Sequence, residues 1–137
     1  TALIAAMLIY ALRHHHQGAP ADRTFLALMA DRKLAATLGA MLNEPGAPWT
    51  IDRLAERAVM SRASFLRRFS AATGRGPADV LLDIRIAHAA RLLRASTLSR
   101  DEIINRVGYR SAAAFARSFR RRTGQTMTQM RRAAQPG

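Results

Sequence analysis

Arginine is the one chemistry-bearing residue type that this chain places with regularity. Arg67 lies in "SRASFLRRFSAATG" (61–74) and Arg117 in "SAAAFARSFRRRTG" (111–124), two stretches that keep a Ser, two Phe, an Arg and a closing Thr-Gly while most other positions change. An arginine turned away from a core offers a planar fork of donors, suited to the edge of a guanine or to a phosphate. Other chemistries lack their parts. There is no cysteine, which excludes disulfides, thiolate catalysis and cysteine-bound zinc. His14, His15 and His16 are adjacent, so on a helix they point about 100° apart and do not converge on one ion; His88 stands alone in an amphipathic stretch and reads as structural. Serines fall at helix starts, no glycine-rich loop with a lysine follows a strand, and the nine carboxylates form no cluster suited to acid–base or metal work. No catalytic set, metal or cofactor is expected, and the chain does not read as an enzyme.

Charge points the same way as the arginines. Lys and Arg number 22 against 9 acidic residues, a formal charge of +13, which favours a polyanionic partner. The apolar run "ALIAAMLIYAL" (2–12) is about half the length needed to span a bilayer, so it reads as a helix that packs on protein, and no membrane partner is expected. The chain opens at Thr1 inside this run without an initiator Met, so the sequence reads as a fragment whose missing part is N-terminal. Cut from that part, residues 2–12 are expected to support weak self-association.

The elements that must position the arginines are helical, because apolar residues recur at three and four and not at two. After the first helix, "RHHHQGAPAD" reads as a linker broken by Gly18 and Pro20, and Leu34, Leu38, Met41 and Leu42 stripe the next helix before Pro45 and Gly46 stop it. Thr50 and Ser61 cap two short helices around a tight turn; Ser99 and Ser111 cap a second such pair. Phe65 and Phe69, like Phe115 and Phe119, face the core by phase, which turns Ala63 and Arg67 outward in the first copy. Between the pairs, "PADVLLDIRIAHAARLLRA" makes a rod of about 30 Å. The copies align at an offset of 49 through the first helix, pairing Asp52 with Asp101, and of 50 from Ser61 onward, pairing Arg67 with Arg117, so one residue is added in the second turn.

Two helices, a tight turn and a cationic outer face on the second helix describe a helix-turn-helix, and a spacing near the 34 Å or so between successive major grooves would let one chain enter both. The fold class is therefore all-α: two helix-turn-helix units joined by a long connecting helix, about seven helices plus an N-terminal one. Residues 1–25 are the N-terminal helix and linker, and 26–137 the DNA-binding domain, with helix-turn-helix 1 at about 50–73, the connecting helix at about 77–95 and helix-turn-helix 2 at about 99–123. A duplicated helical hairpin with no ligand is the bland alternative, and it leaves the outward arginines and the charge without a role.

The runs "WTIDRLAERAVMSRASFLRRFSAATGRGP", "RIAHAARLL" and "SRDEIINRVGYRSAAAFARSFRRRTG" resemble the C-terminal DNA-binding domains of AraC/XylS-type transcription regulators, over residues 30 to 133 or so. Residues 1–25 look similar to the last helix after the cupin-like sensor domain in one branch of that family. The resemblance implies a cytoplasmic monomer gripping two successive major grooves of promoter or operator DNA, contact with RNA polymerase, and an effector ligand reached only through the sensor domain. It also implies base-facing positions at Ala63, Leu66 and Arg67 and at Ala112, Ala113, Ala116 and Arg117. Arg68, Arg120, Arg121 and Arg122, with the helix starts at Thr50 and Ser99, are the expected phosphate contacts. Ala63, Ala112 and Ala113 stand where the family usually has polar or aromatic readers, so DNA shape gains weight. Val59 replaces the usual turn Gly, Arg100 takes an apolar position, Val80 and Met130 replace common aromatics, and Met127 stands near an expected Pro. The rival reading is a sequence-neutral basic protein that compacts DNA or binds an anionic surface, with arginine spread over every face.

Overall fold

A computed structural model describes residues 20–135. The helix expected at 2–12, its self-association and His14 to His16 lie outside the described residues. Eight helices and no strand are found among those described: α1 Pro20–Ala30, α2 Arg32–Asn43, α3 Ile51–Arg57, α4 Arg62–Thr73, α5 Pro77–Ala95, α6 Arg100–Arg106, α7 Ala112–Thr123 and α8 Met127–Ala134. They divide into two compact units, the first made of residues up to Glu44 with Trp49–Leu81, the second of Pro45–Pro48 with Leu82 onward. Helix α5 is one continuous helix that begins in the first unit and continues in the second.

Helix α1 is an element that the sequence reading did not draw. Pro20, treated there as a breaker, is its first residue, where the missing N–H is one the first turn leaves unpaired anyway. Thr24, Phe25 and Leu28 are buried in the first unit. Their neighbours Leu26 and Met29 are exposed, and this pairing of apolar residues blurs the helical period.

In the first unit Leu34, Leu38 and Met41 of α2, Leu54 and Ala55 of α3, Phe65 and Phe69 of α4 and Val80 of α5 are buried. Thr37, buried among them, donates its hydroxyl to the Leu54 carbonyl at 3.0 Å, so the polar group costs little. Asp31 caps α2 by accepting from the amides of Lys33 and Leu34, and its second oxygen takes the Nε of Arg68 on α4. Burial pushes the Asp31 carboxyl up, yet the Arg68 hydrogen bond and the two amides outweigh it and hold the group below its usual range.

The second unit buries Ile86, Ala89 and Leu93 of α5, Ile103 and Ile104 of α6, Phe115 and Phe119 of α7, and Met127 and Met130 of α8. A capping box between Thr126 and Gln129 starts α8, and its Met127 and Met130 fill the core. The segment Pro45–Pro48 belongs here because Arg85 clamps it. Its Nε donates to the Pro45 carbonyl and its Nη2 to the Ala47 carbonyl, both at 2.9 Å, and the guanidinium lies over the Tyr109 ring. Burial lowers the pKa of Arg85, while Tyr109 opposes that shift. Gly46 packs so closely that a Cβ there would stand 2.0 Å from the Arg106 carbonyl oxygen, so no other residue fits without moving backbone.

Candidate nucleic-acid interface

The two copies build the same turn. Met60 donates its amide to Ala55 in the first, Tyr109 to Ile104 in the second, and the residue before each has a positive φ: Val59 at 55° and Gly108 at 87°. The added residue is therefore Arg110, between the turn and the cap of α7. Ser61 then accepts from the Ser64 amide and Ser111 from the Ala114 amide, each at 3.2 Å, which starts α4 and α7 at equivalent residues. Both helices run twelve residues and end alike, with Thr73 and Thr123 bridging from a helix carbonyl to the chain beyond, and Gly74 and Gly124 as left-handed caps.

Phe65 and Phe69 are fully buried with ring centroids 5.6 Å apart, and Phe115 and Phe119 are fully buried at 6.1 Å. Burying such rings is worth about 1.5–3 kcal/mol each, enough to fix which way each helix faces. Away from the Phe pair α4 carries Ala63 and Arg67, both exposed, with half-buried Leu66 on the flank; α7 carries Ala113 and Arg117, exposed, with half-buried Ala116 on the flank and Ala112 exposed in its first turn. All seven sequence-derived base-facing positions thus reach the surface, three on α4 and four on α7. The Nη2 of Arg67 lies 3.4 Å from the Ser64 hydroxyl; the equivalent residue near Arg117 is Ala114, which offers no such partner.

The remaining candidates separate. Arg120 and Arg121 are exposed on the last turn of α7, and among the described residues neither is ion-paired. Arg68 is paired with Asp31 and Arg122 with Asp83 of α5, so each fastens its helix inside its own unit. These partners lie 37 and 39 residues away in sequence, and no local pattern announces them. Thr50 and Ser99 cap α3 and α6, their hydroxyls accepting from Arg53 and Glu102 amides at 3.1 Å. Residues that sequence reasoning passed over are Arg110, visible only as the change of offset, and Arg62, which pairs with Asp52 at 3.2 Å. His88 is half-buried and accepts at Nδ1 from Arg91 at 3.0 Å; burial, then Arg91 and Arg106, keep its pKa below the usual value. No helix among the described residues is long and apolar enough to cross a membrane.

Known proteins share this arrangement. A family model described as "Helix-turn-helix domain" matches residues 54–133. An HTH-type transcriptional regulator of Haemophilus influenzae is 40% identical over 119 residues, covering 87% of this chain and 40% of that protein. The crystal structure of the DNA-binding domain of AdpA, a global transcriptional factor, in complex with a target DNA is 37% identical, with a TM-score of 0.69 over 75% of this chain and 93% of that one. A transcriptional regulator of AraC type from Chromobacterium violaceum is 26% identical, with a TM-score of 0.73 over 80% and 98%. The chain spans about two-fifths of the length of the curated relatives it matches. With two like-built turns, each presenting an outward arginine, and a family match over more than half of its length, the chain belongs to the AraC-type helix-turn-helix family.

Proposed function

We propose that this chain is the part of a transcription regulator that binds double-stranded DNA by sequence, entering successive major grooves with α4 and α7. The observation that carries it is the repeated pairing of a buried Phe face with an outward arginine, Arg67 in one copy and Arg117 in the other. A core needs the Phe; nothing in the packing needs the Arg. Each arginine reads a guanine edge through paired hydrogen bonds, worth about 1–3 kcal/mol of discrimination. Ala63, Leu66, Ala112, Ala113 and Ala116 supply apolar contact to thymine methyls and close approach of the helix. Arg120 and Arg121 meet phosphates. Arg68 and Arg122 are already paired within the fold, so their part is to hold the recognition helices at their angle. RNA polymerase is the expected protein partner, and an effector acts through a sensor region outside this chain. AdpA's DNA-binding domain, similar in sequence and fold, was crystallised on a target DNA, which supports the reading.

Selecting binding sites from a random duplex pool tests it. The expected product is a motif of two short patches about 10 base pairs apart, one turn of the double helix. Equal retention of every sequence would favour the sequence-neutral basic protein instead.

A further inference from the structure

The repeat supplies its own control for charge. Arg120 and Arg121 of α7 stand, at the offset of 50, where α4 has Ser70 and Ala71, and all four positions are exposed. Within α4, Arg62 and Arg68 are each matched by an aspartate, Asp52 and Asp31. Within α7 and the turn before it, Arg110, Arg117, Arg120 and Arg121 have no acidic partner among the described residues, and only Arg122 is paired. The asymmetry extends to the whole units. The first holds ten basic and six acidic residues, a net +4; the second holds twelve and three, a net +9. The base-facing positions do not share this asymmetry: apart from Arg67 and Arg117 they are Ala63 and Leu66 on α4 and alanines on α7, none with a side-chain hydrogen-bonding group.

From this we propose that the second unit is the phosphate anchor of the chain, holding any duplex through Arg120 and Arg121 where the first unit has no counterpart. This rests on the DNA-binding reading above. A phosphate neutralised by an arginine releases counterions from the duplex whatever its sequence, so an anchor shows as salt dependence, while a reader shows as discrimination between sequences. The last-turn arginines also interact favourably with the α7 dipole, a small contribution to stability that salt-dependent DNA affinity does not report.

The test uses the full chain and two variants matched in charge, Arg120→Ser with Arg121→Ala, and Arg62→Gln with Arg67→Gln. Affinity is measured by fluorescence anisotropy against salt, on the selected site and on a random duplex. For the α7 variant the slope of log K against log salt is expected to be smaller by about 1.8, two phosphates at about 0.9 each. Affinity should fall by the same factor on both duplexes, leaving their ratio unchanged. The α4 variant is expected to change the slope by less than half as much and to lose its affinity mainly on the selected site. Equal slope changes, or a larger change for the α4 variant, would overturn the anchor while leaving DNA binding intact. Failure of the unsubstituted chain to bind either duplex would overturn both readings.

Discussion

Replacing Val59 with glycine is expected to stabilise the first unit, and the reciprocal change in the second unit to destabilise it severely. Val59 has a φ of 55° and is 80% exposed, so its side chain is strained without being buried. A left-handed conformation costs an L-residue about 1–2 kcal/mol, and a branched Cβ lies at the high end. Glycine removes that cost but adds about 0.5–1 kcal/mol of unfolded-state entropy. The net gain is about 0.5–1 kcal/mol, which for a unit of this size raises Tm by about 2–8 °C. Gly108 occupies the equivalent place with a φ of 87°, and a Cβ there would stand 2.9 Å from the Gly46 carbonyl oxygen and 3.2 Å from the Arg85 Nη2. Gly108→Val therefore adds strain, drives backbone from backbone and disturbs the Arg85 clamp on Pro45 and Ala47. A loss of more than about 3 kcal/mol is expected from the strain and the broken hydrogen bonds together. Thermal melts followed by circular dichroism measure both. A Val59→Gly protein that melts no higher than the parent, or a Gly108→Val protein that melts with it, would show that the left-handed residue of the turn does not limit stability.

Arg67→Ala and Arg117→Ala should each relax preference at one short patch of the site, at a cost of about 1–3 kcal/mol on the preferred sequence and less on random DNA. A binding profile over all single base-pair changes checks this, and two variants that relax the same base pairs contradict it. Phe65→Ala and Phe115→Ala should each lose about 3–5 kcal/mol of stability by opening a cavity, seen as a lower melting point for the affected unit. Because burial and neighbouring arginines depress the His88 pKa, its neutral form is favoured by folding. Stability from this source is complete above about pH 6.5, the unfolded value, and is lost as pH falls from there through the folded pKa; His88→Gln should flatten that part of a melting-point profile taken from pH 7 to 5. Asp31 is the opposite kind of group, an acid held low by Arg68 and two amides despite its burial. Its contribution is present above about pH 4 and lost as pH falls through the folded value, and Asp31→Ala should remove it while also uncapping α2, a further loss of about 1 kcal/mol.

The recognition helices were legible because they are local. Ser61, Phe65, Phe69 and Gly74, with their partners fifty residues on, carry cap, core face and stop within one stretch of chain, and the structure gives each that role. What escaped the sequence is what depends on distant contacts. Arg68 and Arg122 look like their unpaired neighbours until Asp31 and Asp83 arrive from elsewhere in the fold. Arg85 sits inside an amphipathic stretch and gives no sign that it clamps a segment some forty residues earlier. Pro20 is ambiguous by nature, since the property that ends one helix also suits the first residue of the next.

Val59 and Gly108 also show how far a duplicated turn can drift. The left-handed residue is imposed by the turn's hydrogen bonds, Met60 to Ala55 and Tyr109 to Ile104, which are the same in both copies. What differs is the space around it. In the second unit the Gly46 backbone presses on that position, so only glycine fits. At Val59 the side chain is 80% exposed, and the first unit tolerates a strained valine at a cost within its stability. The same logic governs the outer faces of α4 and α7: where packing fixes a residue, as at Phe65 and Phe115, the copies agree, and where only solvent or a ligand meets it, as at Ser70 and Arg120, they diverge. Two exposed pairs on those faces depart from this, Ala63 with Ala113 and Arg67 with Arg117, each the same residue in both copies. Packing does not account for that agreement, and the DNA-edge role proposed for the two arginines would.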